Sequence, residues 1–253
     1  MGMAAALDHN QYTPGEIAKY EAVYGRNFVS PGGLASAQEC TALLGLAAGM
    51  RVLDIGCGLG GSAFYMAERY GAQVQGIDLS ANMLHIAQER CRAAGLAERV
   101  HFVHGDILDY TAVQPFDRVY SRDVFLHIQD KPRLLQGIWQ LLTPGGRLLF
   151  TDYCCGEEAK SAGFAAYIRQ RGYDLRTVAA YRDLLAEAGF TEITAQDRSS
   201  QFLHILEQEL ANLAAERFTP AALAEIRQSW QAKIARTRSG EQRWGLFIAH
   251  RPQ

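Results

Sequence analysis

A carboxylate and an imidazole lie four residues apart in YSRDVFLHIQDKP, an otherwise largely apolar stretch over residues 120–132. On a helical turn, Asp123 and His127 would share one face, so the acid could hold an ammonium group while the imidazole accepts a proton. Histidine suits this task because its ordinary pKa lies near neutrality. The alternative is structural, with Asp123 capping the next turn and His127 satisfied in the core. The spacing alone leaves both interpretations open.

A glycine-rich stretch, DIGCGLGG over residues 54–61, is the second candidate site. Two patterns, G-x-G-x-G and G-x-G-x-x-G, both begin at Gly56. They stand between a predicted strand and a predicted helix, where small residues let the backbone approach a nucleotide-type ligand. Asp78 ends the next predicted strand and suits a ribose diol in either pattern. The structural alternative is a tight turn that binds nothing.

Three features favour S-adenosylmethionine over a nicotinamide dinucleotide as that ligand. Asp54 precedes the glycines, and Asp106 in GDI ends a predicted strand where it could accept a hydrogen bond from an adenine amine. The segment LLTPGGRLLFTDY, residues 141–153, predicts the end of a helix followed by a strand. A dehydrogenase is a distant second interpretation, because no second nucleotide-binding half is present to hold the nicotinamide.

Alternating elements must position these residues. Apolar runs predict strands over 50–56, 72–79, 99–106, 116–123 and 147–153, and helical patterns over 60–71, 80–95 and 131–142 separate them. This alternation predicts a parallel sheet with helices on both faces and ligands at the carboxyl ends of its strands. The candidates at that edge are Gly56, Asp78, Asp106, Arg122, Asp123 and Tyr153. With a last strand in RWGLFIAHR, residues 243–251, residues 48–155 resemble the class I S-adenosylmethionine-dependent methyltransferase fold.

Composition argues against several classes of protein. The formal net charge of -2 offers no basic field for nucleic acid or an anionic membrane. We find neither a basic, apolar leader pattern nor a run of about 18 apolar residues, so we expect a cytoplasmic protein without membrane insertion. The five cysteines form no C-x-x-C pair, and the seven histidines form no metal triad. We therefore expect no metal.

A more specific resemblance covers nearly the whole chain. The segments NQYTPGEIAKYEAVYGRNFVSPGGL, YSRDVFLHIQDKP, TDYCC and GYDL closely resemble the phosphoethanolamine N-methyltransferases. The resemblance implies an α/β, Rossmann-like class I methyltransferase with a seven-stranded, mostly parallel sheet, helices on both faces and a helical lid. It implies one domain made of a lid segment (1–45), a cofactor-binding core (46–156), a substrate-binding helical insertion (157–180) and a segment that completes the sheet (181–253).

The same resemblance implies a role for each site residue. Tyr12 would close over the site and pair with His127 as a catalytic latch, while Asp123 would contact the amine nitrogen. The cofactor would be bound by Gln11, Tyr20, Ser30, Gly56, Asp78, Leu79, Asp106, Ile107 and Arg122. The substrate phosphate would be bound by Tyr153, Tyr167, Arg171, Tyr173 and Lys233. A doubly ionised phosphate needs fixed cations and hydroxyl donors, and YIRQRGY places Tyr167 and Arg171 on one helical face.

The resulting expectation is a cytoplasmic, monomeric enzyme. It would transfer methyl groups from S-adenosylmethionine to phosphoethanolamine or its mono- and dimethyl forms, releasing S-adenosylhomocysteine and leading to phosphocholine for phosphatidylcholine synthesis. One alternative is a methyltransferase of another small amine or a phosphonate on the same scaffold. A second is a protein that binds the cofactor without catalysis. A nucleic-acid methyltransferase would need a basic groove or an aromatic platform that we do not find.

Overall fold

The computed structural model describes residue 8 and residues 12–253. Its strands are β1 (Arg51–Ile55), β2 (Gln73–Asp78), β3 (Val100–His104), β4 (Phe116–Arg122), β5 (Leu142–Cys155), β6 (Thr191–Asp197) and β7 (Gln242–His250). Its helices are α1 (Pro14–Tyr24), α2 (Gly33–Leu44), α3 (Gly61–Tyr70), α4 (Ala81–Ala93), α5 (Lys131–Leu141), α6 (Ala162–Arg171), α7 (Val178–Glu187), α8 (Ser199–Ala211) and α9 (Pro220–Arg238). Short 3₁₀ helices span Ile107–Asp109, Phe125–His127 and Ala215–Arg217.

The strands form one sheet in the order β3-β2-β1-β4-β5-β7-β6. β1 to β5 pair in parallel, and β7 runs antiparallel to both β5 and β6. This is the seven-stranded, mostly parallel arrangement of a class I methyltransferase, so the predicted fold is confirmed. The strand order places β1 and β4 at the centre, and their carboxyl ends carry the glycine loop and Asp123.

Helices cover both faces because consecutive residues of a buried strand point to opposite sides. On β1, Leu53 packs in a cluster with residues of α5 and α7, whereas Val52 packs in another with residues of α2 and α3. On β5, Leu148 and Leu149 divide between the same two clusters. The near-continuous apolar runs that predicted the strands therefore reflect burial on both faces.

A third apolar cluster joins α1, α8 and α9 to the sheet. It contains Tyr24, Phe202, Trp230 and Trp244, together with Tyr153 near the end of β5. This cluster places helices from the first fifty residues and from the last third of the chain above the carboxyl edge, next to the candidate site.

Among the boundaries that differ from those predicted, two concern β5 and β3. β5 begins at Leu142, not at residue 147, because Leu142 pairs with Phe116 before an irregularity in the β4–β5 register. β3 ends at His104, so Asp106 follows the strand and caps the 3₁₀ helix Ile107–Asp109 by accepting a hydrogen bond from the Leu108 N–H at 2.9 Å.

Candidate active site

A cavity of about 470 Å³ opens at the carboxyl edge of the sheet. The ends of β1, β2 and β4, the loop after β3, and residues from α1's entry and α6's end all contribute to its wall. Of the residues predicted from the sequence, those lining it are Tyr12, Ser30, Gly56, Asp78, Leu79, Asp106, Ile107, Arg122, Asp123, His127 and Arg171. Residues assigned separately to catalysis, cofactor and phosphate thus line one cavity.

The glycine loop is held against the end of β2. Asp78 accepts hydrogen bonds from the backbone N–H groups of Gly58 (2.8 Å) and Ser80 (2.9 Å). Burial raises the pKa of the Asp78 carboxyl, and these two donors partly offset the rise. Gly56 has a φ of 69°, and a Cβ on it would come within 2.2 Å of the Val124 side chain. The loop therefore needs glycine at this position for space as well as for backbone conformation.

Two buried polar side chains near the ends of β1 and β4 line the cavity. The Arg122 guanidinium donates to the carbonyl oxygens of Pro31 (2.6 Å) and Gly33 (3.0 Å), which leaves its Nε without a partner among the described residues. Asp54 Oδ2 is likewise buried and unpartnered within the described part of the chain. Burial, assisted by the Asp78 charge, raises the pKa of Asp54 to about 8. A buried carboxyl and a buried guanidinium, each with one atom unpaired among the described residues, suit a ligand with an ammonium and a carboxylate group.

The backbone at Asp123 does not form the α-helical turn that the sequence predicted. Asp123 has a left-handed φ of 56°, and the chain then enters the 3₁₀ helix Phe125–His127. Its Oδ1 accepts hydrogen bonds from Trp244 Nε1 (2.7 Å) and Thr151 Oγ1 (3.1 Å). Its Oδ2 is buried and has no partner among the residues described. Asp123 and His127 still line the same cavity, but a tight turn brings them there.

The environment of His127 makes its imidazole a neutral group. Burial, together with the positive charges of Arg171 and Lys131, lowers the pKa of His127 to about 4. Its ring packs edge-on against Tyr173 at a centroid distance of 5.1 Å. The sequence argument assumed an ordinary pKa for this residue. A neutral imidazole can accept a proton, and its basicity would increase if an anion offset the Arg171 charge.

The predicted phosphate residues form a cluster beside the cavity. Lys233 is buried, donates to Tyr153 Oη at 3.4 Å and lies 4.8 Å from the Trp230 ring centroid. Tyr167 and Tyr173 contact each other edge-on at 5.9 Å. The cluster combines hydroxyl groups with cations, which are the groups that bind a phosphate.

The pKa of Tyr167 shows that positive charge dominates in this cluster. Burial raises its pKa, but the charges of Lys233 and Arg171 and a hydrogen bond with Arg171 outweigh burial, so that the pKa of Tyr167 is lowered. The Arg236 guanidinium lies 4.1 Å from the centroid of the same ring. Three cations therefore surround one phenol, an arrangement that favours an anionic ligand.

A row of tyrosines leads from the cavity to this cluster. Tyr20 lies 6.4 Å from Tyr12 and 6.3 Å from Tyr24 between ring centroids. The sequence interpretation assigned Tyr20 to the cofactor. In the structure its ring lies in this row, where burial raises the pKa of Tyr20 and the Arg171 charge opposes the rise. Tyr12 is anchored by its backbone oxygen, which accepts a hydrogen bond from Asn82 Nδ2 at 3.0 Å. Gln11 lies outside the described residues.

The comparisons with known proteins agree with this geometry. A family model described as a methyltransferase domain matches residues 46–218. Phosphoethanolamine N-methyltransferase of Plasmodium falciparum is 35% identical over 253 residues, which cover 96% of this chain and 94% of that protein. The chain belongs to the phosphoethanolamine N-methyltransferase family. Phosphoethanolamine N-methyltransferase 3 of Arabidopsis thaliana is 45% identical over 260 residues, covering 99% of this chain and 52% of that protein.

A solved structure of the same family also matches. The Haemonchus contortus phosphoethanolamine N-methyltransferase 2, in complex with phosphomonomethylethanolamine and S-adenosylhomocysteine, superimposes with a TM-score of 0.96 at 33% identity. The match covers 100% of this chain and 61% of that chain. This chain spans about half the length of the plant relatives it matches.

Several residues at this site were not identified from the sequence. Trp244 and Thr151 hold Asp123, and Arg236 stacks on Tyr167. Only Arg236 had a readable signal, since it lies one helical turn after Lys233 on α9. The two Asp123 donors come from β5 and β7, which are distant in sequence, so only the tertiary structure reveals them.

Within residue 8 and residues 12–253, no group of three or more His, Cys, Asp or Glu side chains could hold a metal ion. In the same part of the chain, no helix combines the length and apolar character that crossing a bilayer requires.

Proposed function

We propose that this chain transfers methyl groups from S-adenosylmethionine to the nitrogen of phosphoethanolamine or of its mono- and dimethyl derivatives, towards phosphocholine. The observation that carries the proposal is that a site suited to an amine lies next to a site suited to a phosphate. An Asp123 oxygen that has no partner among the described residues and a neutral His127 line the cavity, and a cluster of cations and tyrosines lies next to them. The name of the Plasmodium falciparum relative and the ligands of the Haemonchus contortus structure support the same substrate.

The residues at the glycine-loop end fit S-adenosylmethionine. Asp78 would accept hydrogen bonds from the ribose hydroxyls, Asp106 would accept from the adenine amine, and the Asp54 and Arg122 pair matches the methionine ammonium and carboxylate. When bound, this cofactor supplies an electrophilic methyl group on a sulfonium. Ser30, Leu79 and Ile107 would border it, with Gln11 proposed from the resemblance alone. The reaction would leave S-adenosylhomocysteine, and we propose no metal.

The amine would be prepared by Asp123 and His127. An alkyl ammonium group with a pKa near 10 costs roughly 4 kcal/mol to deprotonate at pH 7. The free Asp123 oxygen would attract and orient this ammonium group, and the neutral His127 would accept its proton. Tyr12, which lines the same cavity, would close over the amine as a latch. A phosphate beside Arg171 would offset the charge that depresses the pKa of His127, so substrate binding would strengthen the base.

The phosphate would be bound by the neighbouring cluster. Arg171 and Lys233 would supply charge, and hydroxyl groups would come from Tyr20, Tyr153, Tyr167 and Tyr173. We assign Tyr20 to this set because it lies in the tyrosine row and the Arg171 charge opposes the rise in its pKa that burial causes.

The division of the chain also belongs to this proposal. Segments 1–45 and 157–180 would cover the substrate and exclude water, 46–156 would bind the cofactor, and 181–253 would complete the sheet and supply Lys233. A monomeric, cytoplasmic enzyme in phosphatidylcholine synthesis stays a prediction of the sequence. The large apolar side chains that are exposed in the described residues, Leu34, Leu43 and Val113, are separate in sequence and offer no helix-long apolar stripe.

Two arginines on α6 provide the test. Arg171→Met should raise the KM for phosphoethanolamine by about tenfold or more, the value of a charge-assisted hydrogen bond, with little change in the Kd for S-adenosylmethionine. Arg169→Met is the matched control, since Arg169 is exposed on the same helix and does not line the cavity. Turnover of phosphoethanolamine with an unchanged KM in Arg171→Met would contradict the phosphate assignment and favour another amine as substrate.

A further inference from the structure

Hydrogen bonds that do not involve the side chains of Asp123, His127, Arg171 or Tyr173 connect the two ends of the proposed substrate site. We name residues 123–130, which carry Asp123 and His127, the amine turn, and residues 171–176, which carry Arg171 and Tyr173, the phosphate segment. The Asp174 N–H donates to the Leu126 carbonyl at 2.8 Å, and Gln129 Nε2 donates to the Gly172 carbonyl at 2.8 Å. The position of one segment therefore constrains the other.

Lys131 is the central tie between these segments. Its Nζ donates to the Ile128 carbonyl of the amine turn and to the Asp174 carbonyl of the phosphate segment at 3.0 Å. It also forms an ion pair with Asp174 Oδ2 at 3.2 Å. The ammonium group thus bridges both segments with three contacts.

The burial of Lys131 indicates a geometric role. Its side chain is 0% exposed, and taking a charge out of water is unfavourable unless it is paired and hydrogen-bonded. A buried ion pair adds little net stability compared with apolar residues of similar size, although it does fix relative positions. The buried Asp152 on β5 accepts a hydrogen bond from the Leu126 N–H at 3.1 Å, and this bond fixes the amine turn to the sheet.

We infer that Lys131 and Asp174 set the distance between the amine-binding and phosphate-binding ends of the site, and so determine which length of carbon chain between nitrogen and phosphate is accepted. This inference rests on the proposed function and adds a specificity-determining pair to it. Neither residue touches the reacting atoms. Each acts by positioning Asp123 and His127 relative to Arg171 and Tyr173.

The physical reason is that a substrate bound at both ends must have a length that matches the distance between its two binding groups. One methylene in excess costs roughly 10-fold to 200-fold in kcat/KM at a matched site. A displacement of about 1 Å in one anchor can cost about 100-fold for the substrate that previously fitted. Loosening the tie should therefore penalise the fitting substrate more than a longer one.

The test compares phosphoethanolamine with 3-aminopropyl phosphate, which has one more methylene, as methyl acceptors. The wild-type chain should favour phosphoethanolamine by at least about tenfold in kcat/KM. Lys131→Met and Asp174→Asn should reduce this preference by about tenfold. Partial unfolding would lower both values equally and leave the ratio unchanged. Asp183→Asn is the matched control, because Asp183 pairs only with its exposed neighbour Arg182 among the ion pairs of the described chain.

Gln129→Ala keeps the inference testable if the variants at the buried positions do not fold. Gln129 is exposed, and its loss removes the second side-chain tie, so the preference should fall in the same direction by a smaller factor. Wild-type activity that does not discriminate between the two compounds, or an unchanged ratio in the folded variants, would overturn the inference. Wild-type turnover of neither compound, nor of the monomethyl and dimethyl derivatives of phosphoethanolamine, with S-adenosylmethionine bound would overturn the proposed function itself, and the inference with it.

Discussion

Asp54 illustrates how a single carboxyl can report cofactor binding. Its pKa is raised to about 8 by burial and by Asp78, so in the free protein it is mostly protonated at pH 7. An ammonium group placed beside it would lower that pKa, and binding would release a proton. Calorimetric titration of S-adenosylmethionine at pH 7, in two buffers with different ionisation heats, should show this release. Asp54→Asn should abolish it, and a wild-type binding heat independent of buffer would contradict the role assigned to Asp54.

Asp123 depends on Trp244 for its charge. Burial raises the pKa of Asp123, while Arg122, the indole N–H and Thr151 oppose the rise. Trp244→Phe keeps an aromatic ring in the core and removes one donor, so the pKa of Asp123 should increase further. We expect kcat/KM for phosphoethanolamine to fall about tenfold, with its acid limb moved to higher pH. Trp139→Phe is the control, because Trp139 donates to the Gly189 carbonyl away from the site. Equal pH profiles in both variants would refute this role.

At the scale of elements, the glycine loop and the amine turn should behave as one unit. Gly56 and Gly95 share left-handed φ values of 69°, so alanine at either position should cost about 1 to 2 kcal/mol in stability. A Cβ at Gly95 meets nothing within 4 Å, whereas a Cβ at Gly56 overlaps Val124, the neighbour of Asp123. Gly95→Ala should therefore retain methyl transfer and Gly56→Ala should lose most of it. Similar activities in the two variants, measured at matched folded fractions, would contradict the claim that the glycine loop and the amine turn behave as one unit.

The elements were more predictable from the sequence than the turns between them. The alternation of apolar runs and helical patterns placed β1 to β5 and the glycine loop, because burial on both faces leaves a strong local signal. The interpretation of Asp123 and His127 assumed a helical turn, whereas Asp123 has a left-handed backbone and its side chain accepts hydrogen bonds from β5 and β7. The neutral state of His127 could not be predicted from the sequence either, since its pKa is lowered by burial and by the charges of Arg171 and Lys131, which only the tertiary structure brings together.

At the scale of the whole molecule, Arg90 connects α1 to α4, which belongs to the proposed cofactor-binding core. This residue of α4 pairs with Glu21 at 2.5 Å and donates to Asn27 Oδ1 at 2.9 Å. Arg90→Met should release α1, so that its amides exchange with deuterium faster while those of the sheet are unchanged. The KM for both substrates should rise. Arg92→Met, at an exposed position of the same helix, should leave α1 as in the wild type, and unchanged α1 exchange in Arg90→Met would show that other contacts hold the lid.

The most direct measurement for the whole account is transfer of a labelled methyl group from S-adenosylmethionine, with four acceptors offered in parallel. These are phosphoethanolamine, its monomethyl and dimethyl derivatives, and unphosphorylated ethanolamine. The account predicts that at least one of the phosphorylated amines is methylated on nitrogen and that ethanolamine is not, because only a phosphate engages Arg171, Lys233 and the tyrosines. The set of accepted derivatives would show which steps the enzyme performs. Methylation of ethanolamine at a comparable rate, or of none of the four while the cofactor binds, would contradict it.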